Sequence, residues 1–214
     1  MTEEDYIAAH IDAEPAALRR LYRHTHMHRL YPRMCTDHIQ GRILAMLTRM
    51  INPKRVLELG TFSGYSTLCF AEALAEGGHV DTVELDTEYA DDLRELFETE
   101  APGKITLHTG DAEALLPALL RDNDYDMVFI DANKRRYPQY YALVADALRE
   151  GAYILADNTL WTDKVLDPDA SDPQTDGIRL FNDTVASDPR VEKVILPVRD
   201  GLTVIRKKFV NFAS

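Results

Sequence analysis

Two apolar runs of this chain end in oxygen-bearing side chains. Met127 to Ile130 leads into Asp131, and Ala152 to Ala156 leads into Asp157 and Asn158. Runs of this length and composition predict strands, and neighbouring strands of a sheet lie roughly 4.8 Å apart. If the two pair, Asp131, Asp157 and Asn158 can converge on one point. Hard oxygen donors of that kind suit Mg²⁺, with Mn²⁺ or Ca²⁺ as alternatives. Each acid taken singly reads first as a cap or turn former at a strand end. It is the set that points to a metal, because Lys134 follows Asp131 by only three residues. An amine held beside bound positive charge has its ammonium form disfavoured, which equips Lys134 as a general base rather than a solvated loop lysine.

A second constellation is Val56-Leu57-Glu58-Leu59-Gly60-Thr61-Phe62-Ser63-Gly64-Tyr65-Ser66, an apolar strand entering a glycine-bearing turn and then a helix. A strand end, a turn without a side chain at Gly60 and the free N–H groups of a following helix make a cradle for a polar ligand. Glu84 ends the next apolar run, where doubly wound folds place a ribose-binding carboxylate. Dinucleotide sites use G-x-G-x-x-G, and that spacing is absent here. Glu58 repels phosphate and attracts a cation, so a sulfonium nucleotide without phosphate fits better. Trp161, just after Asp157 and Asn158, offers an aromatic wall for a planar substrate, with packing or a dimer contact as the alternative. Arg135 and Arg136 read as a solvated turn in preference to an anion contact, and Tyr137, Tyr140 and Tyr141 as helix packing.

These residues need a frame to position them. The chain has 214 residues, 45% hydrophobic content and no long Pro/Gly/Ser linker, which predicts one domain over 1–214. Up to about Asn52 the pattern is helical, with Ile39, Ile43, Leu44, Leu47 and Ile51 forming one stripe and Pro53 as the stop. This 1–52 extension is expected over the site. Beyond it, strands near 55–59, 80–85, 104–108, 126–130 and 152–156 alternate with helices near 65–76, 88–100, 112–120 and 138–149. Alternation argues for a doubly wound α/β fold with a parallel sheet. After a helix at 176–187, runs at Val191–Leu196 and Leu202–Lys207 form a hairpin, giving seven strands of which one is reversed. The acidic segment from Thr159 to Gly177, with Pro168 and Pro173, is expected as a surface loop long enough for a lid.

The net charge of −12 opposes loose binding to phosphate backbones or anionic membranes. Cys35 and Cys69 are the only cysteines, and the start Met1-Thr2-Glu3-Glu4-Asp5 lacks the pattern of a signal peptide. A cytoplasmic protein with reduced thiols is expected.

On LELGTFSGYS, TVELD, HTGDAEALLP, FIDANKRRY and ILADNTLW, the chain resembles the cation-dependent class I O-methyltransferases from about Met34 onward. This Rossmann-like family, O-methyltransferase family 3, contains catechol and caffeoyl-CoA O-methyltransferases. The resemblance implies that Glu58, Gly60, Thr61 and Ser66 surround the methionine part of S-adenosylmethionine, preceded by contacts from Met34 and Thr36. It puts Glu84 on the ribose, Asp111 and Ala112 at the adenine end, and Asp131 beside both cofactor and metal. Asp131, Asp157 and Asn158 become metal ligands and Lys134 the catalytic lysine, with Asn158 and Trp161 near the substrate. A homodimer is also implied, with the N-terminal helices and the 159–177 loop as contact surfaces. One departure stands out, because relatives commonly read Asp-Ala-Asp-Lys where this chain has Asp131-Ala132-Asn133-Lys134.

The reading that follows is methyl transfer from S-adenosylmethionine to a hydroxyl of a catechol-type small molecule or its thioester, aided by a divalent cation. Three rivals remain at this level. They are a transfer-RNA hydroxyuridine O-methyltransferase, which the acidic balance disfavours, a NAD-binding oxidoreductase, and a non-catalytic S-adenosylmethionine-binding module.

Overall fold

In the computed structural model, which describes residues 1–209, the apolar runs become strands β1 (Arg55–Leu59), β2 (His79–Glu84), β3 (Ile105–Thr109), β4 (Met127–Ile130) and β5 (Tyr153–Asp157). Two further strands, β6 (Val191–Leu196) and β7 (Leu202–Lys207), complete one sheet in the order β3-β2-β1-β4-β5-β7-β6. Strands β1 to β5 pair in parallel, and β7 runs against both β5 and β6. One strand is therefore reversed, as the hairpin length requires.

Side chains of a strand alternate between faces, and β1 shows the consequence. Val56 packs with α3 (His38–Ile51), α4 (Tyr65–Ala73) and α5 (Ala90–Glu100) through Leu44, Phe70 and Phe97. Leu57 and Leu59 pack on the other face with α6 (Ala112–Asp122), α7 (Tyr137–Ala147) and α8 (Pro173–Ser187) through Leu116, Tyr141 and Phe181. Both faces of the sheet are thus covered.

The helical extension is divided into α1 (Glu3–His10), α2 (Ala16–His28) and α3, with Pro15 and Pro32 at the starts of new segments. Asn52 closes α3 in the left-handed conformation, φ +53°. The expected 159–177 loop is shorter than its composition suggests, because α8 begins at Pro173. Asp172 caps that helix by accepting from the N–H groups of Gln174 and Thr175. Proline is suited to the first helical position, where its missing N–H costs nothing, so Pro173 marks a helix start rather than a loop.

The chain order reverses direction between β1 and β4. In open α/β sheets such a switch leaves a crevice outside the carboxyl ends of the strands. No helix among the described residues is long and apolar enough to cross a membrane.

Candidate active site

The crevice is a cleft of about 670 Å³, and it is lined by the ends of β1, β2, β4 and β5. On one side lies the turn after β1. Gly60 has φ +102°, and a Cβ there would lie 2.1 Å from the carbonyl oxygen of Asp131. Only glycine lets the β1 turn and the end of β4 approach this closely. Thr61 and Ser66 also line the cleft, and Gly64 starts α4 from a left-handed φ of +82°.

Glu84 lines the same cavity, and its position is fixed from both sides. Its Oε2 accepts the N–H of Phe62 at 2.6 Å and its Oε1 accepts the N–H of Asp86 at 2.8 Å. A carboxylate pinned by two backbone donors keeps further lone pairs for hydroxyls of a ligand. Met34 and Thr36, at the entry to α3, and Asp111 and Ala112, after β3, line the cleft as well. Asp111 caps α6 through the N–H groups of Glu113 and Ala114.

Glu58, also expected at the methionine part of the cofactor, sits deeper. It is fully buried and is not part of the cleft wall. Its carboxylate accepts from Ser66 Oγ at 2.5 Å, from Thr82 Oγ1 at 2.6 Å and from the Thr67 hydroxyl. Burial pushes the carboxyl up to about 7, against the stabilising hydroxyls. Glu58 therefore ties the first turn of α4 to β2 from beneath the cradle. Strand periodicity hides this, because it gives no depth along the strand.

On the other side of the cleft, the pairing of Ile130 with Ala156 brings the next residues, Asp131 and Asp157, to adjacent strand ends. Asp157 is only 3% exposed. Its Oδ2 accepts from Gln40 Nε2 at 2.7 Å, while its Oδ1 is buried without a partner. Burial raises the Asp157 carboxyl above the usual carboxylate range, the charge of Asp131 adds to the rise, and Lys134 opposes it. A buried carboxylate oxygen left without a donor is costly unless a ligand answers it. Asn158, at a left-handed φ of +58°, follows directly and lines the cleft. Among the described residues no three His, Cys, Asp or Glu side chains form a metal cluster, so a cation here needs the amide oxygen of Asn158 beside the two acids. The donor set fits a hard divalent ion that keeps open positions.

Lys134 is buried beside Asp131. Its ammonium donates to Asp131 Oδ1 at 2.6 Å and to the Tyr137 hydroxyl at 2.7 Å. Tyr137 is fully buried, and its hydroxyl stands within donating distance of the carbonyl oxygens of Ile130, at 3.0 Å, and Asp157, at 3.1 Å. Burial, with Asp131 and Asp157 adding, holds that hydroxyl protonated well beyond the ordinary tyrosine range. Packing alone does not describe Tyr137, which joins the ends of β4 and β5 and seats the lysine. Its place three residues after Lys134 is the signal in the sequence. Tyr140 lines the cleft, and Tyr141 donates to Asp188 at 3.0 Å.

A profile of the O-methyltransferase family matches residues 8–208. The chain belongs to this family. It is 34% identical over 206 residues to a caffeoyl-CoA O-methyltransferase of Petroselinum crispum, covering 91% of this chain and 85% of that relative. The O-methyltransferase TomG of Streptomyces achromogenes, involved in tomaymycin synthesis and solved in complex with SAM, superposes with a TM-score of 0.88 at 28% identity, over 98% of this chain and 100% of TomG. An O-methyltransferase of Bacillus cereus solved with SAH gives a TM-score of 0.88 at 28% identity, over 95% of this chain and 96% of that one. The chain is thus an S-adenosylmethionine-dependent O-methyltransferase with the Rossmann-like fold of its relatives. Membership removes the oxidoreductase and the non-catalytic module.

The remaining residues sort by what they touch. Trp161 lines the cleft and packs against the hydrophobic core. Asn133 accepts the N–H of Arg135 at 3.2 Å and caps the turn that carries Lys134. Arg136 pairs with Glu113 at 3.3 Å, whereas Arg135 lines the cleft. Arg33, Gln174 and Arg199 line it too, and periodicity could not single them out, since they come from loops and a helix end.

Proposed function

We propose that this methyltransferase acts on one hydroxyl of a vicinal dihydroxy aromatic small molecule or its thioester, with a divalent cation held by Asp131, Asp157 and Asn158. The observation that carries the reading is the unpartnered, buried Oδ1 of Asp157 beside Asp131 and Lys134, inside the cleft that also contains Glu84. In this reading S-adenosylmethionine lies along the β1 and β2 side. Gly60, Thr61 and Ser66 face its methionine part, with Met34 and Thr36 beside them. Glu84 accepts from the ribose hydroxyls, and Asp111 and Ala112 border the adenine.

The cation, Mg²⁺ by preference, supplies Lewis acidity that favours the ionised acceptor hydroxyl. Lys134 takes or shares the proton of that hydroxyl, and Asp131 and Tyr137 keep its amine in place. Trp161 flanks the ring and Asn158 contacts the acceptor oxygens. The ionised oxygen then attacks the methyl carbon in line, forming the O–CH3 bond as the C–S bond breaks and S-adenosylhomocysteine leaves, so the chain contributes mainly positioning and electrostatics. The relative from Petroselinum crispum supports a thioester of an aromatic acid as one acceptor class.

The test is a methyl-transfer screen of simple catechols, hydroxycinnamoyl thioesters and undermodified transfer RNA. Turnover of a vicinal diol, and none of its singly hydroxylated analogue, is the expected result. Transfer to RNA alone would overturn the acceptor assignment.

A further inference from the structure

A chain of polar contacts reaches the proposed metal site from two distant parts of the sequence. Asp37 caps α3, its Oδ1 accepting the N–H of Gln40 at 2.9 Å, and its Oδ2 pairs with Arg199 Nε at 3.2 Å. Arg199 sits in the turn between β6 and β7 at a left-handed φ of +47°, and its guanidinium also donates to Gln40 Oε1. Gln40 is 2% exposed, and its Nε2 donates to Asp157 Oδ2. The antiparallel register that matches Asp157 with Leu202 brings the turn bearing Arg199 to the end of β5.

The chemistry of this chain of contacts is directional. A guanidinium only donates and an ionised carboxylate only accepts, so a group between them must accept on one side and donate on the other. The Gln40 amide does both, and Arg199 decides which way it faces. Once Gln40 Nε2 satisfies Oδ2 of Asp157, that carboxylate cannot rotate freely, and Oδ1 is left as the oxygen without a partner. We infer that Gln40, oriented by Arg199, is a positioning residue that presents Asp157 Oδ1 to a divalent cation. The inference rests on the cation-dependent reading given above. Groups that hold a ligating carboxylate from behind typically change metal affinity 10- to 100-fold when removed.

The test is calorimetric titration of the full chain with Mn²⁺ alone, with S-adenosylmethionine titrated separately. Gln40→Leu is expected to weaken Mn²⁺ binding roughly 10- to 100-fold and to leave S-adenosylmethionine affinity within about twofold, because Gln40 does not line the cleft. A merely structural role would not separate the two ligands. Unchanged Mn²⁺ affinity in a folded Gln40→Leu overturns the inference. Should that variant fail to fold or lose both ligands, Gln40→Met decides, since its unbranched side chain fills the same buried space outside the cleft without an amide. A selective loss of Mn²⁺ affinity in Gln40→Met supports the inference, and undiminished affinity overturns it. A parent chain that takes up no Mn²⁺ would instead overturn the cation reading itself, and the inference with it.

Discussion

The backbone of Asp131 closes over Gly60 so tightly that a Cβ on the glycine would stand 2.1 Å from the Asp131 carbonyl oxygen. The turn proposed to cradle the methyl donor and the strand end proposed to offer a metal ligand are therefore one packed unit. Gly60→Ala must move one of them, at a φ of +102° that alanine resists. The expected cost is about 1–3 kcal/mol of stability, with cofactor affinity falling at least about tenfold through the displaced turn. Chemical unfolding and calorimetry measure both, and a variant with parental values would refute the coupling.

Glu84→Ala should weaken S-adenosylmethionine binding by about 1.5–3 kcal/mol, the range for hydrogen bonds to a charged group. The motive is a carboxylate in the cleft already oriented by the N–H groups of Phe62 and Asp86. Glu84→Gln keeps one acceptor and should lose less. Equal parental affinity in both folded variants would remove Glu84 from the site.

Lys134→Met should slow single-turnover methyl transfer by roughly 10²- to 10⁴-fold, the usual contribution of a positioned general base. Cofactor affinity should change little, because the amine faces Asp131 and Tyr137 rather than Glu84. Raising the pH should recover part of the rate, since the acceptor then ionises unaided. Parental single-turnover rates at neutral pH would make Lys134 a bystander.

Glu58 carries a pH signature of stability. Its carboxyl titrates near 7 in the folded chain against 4.5 in its absence. A raised carboxyl binds its proton more tightly when folded, so the contribution is present below about pH 4.5 and is lost as pH rises through about 7. The stability difference between the parent and Glu58→Gln should fall by on the order of 3 kcal/mol across that window. Urea unfolding of both proteins at several pH values checks this. A flat difference would mean that the three hydroxyl donors offset the burial fully.

Most of the architecture was legible because periodicity reports which face of an element is apolar. The seven strands and the reversed β7 follow from run lengths and turn lengths, whereas the adjacency of Asp131 and Asp157 was a condition that the β4–β5 pairing meets. Proline was the main source of error, because Pro173 begins a helix in a segment whose composition resembles a loop. In the site, residues within a motif were readable and residues that meet across the fold were not. Gln40 and Asp157 are 117 positions apart, and no local pattern signals their contact. Glu58 shows a related limit, since a motif identifies a neighbourhood without saying whether a side chain lines the cleft or holds the helix behind it.

The central question is whether methyl transfer needs a divalent ion at the ends of β4 and β5. The decisive measurement is the turnover of a catechol by the metal-stripped chain, with and without added Mg²⁺, alongside Asp157→Ala. Activity should vanish in the stripped parent, return on addition of Mg²⁺, and fail to return in a folded Asp157→Ala that still binds S-adenosylmethionine. Full turnover in excess chelator, with elemental analysis confirming that no metal remains, would contradict it.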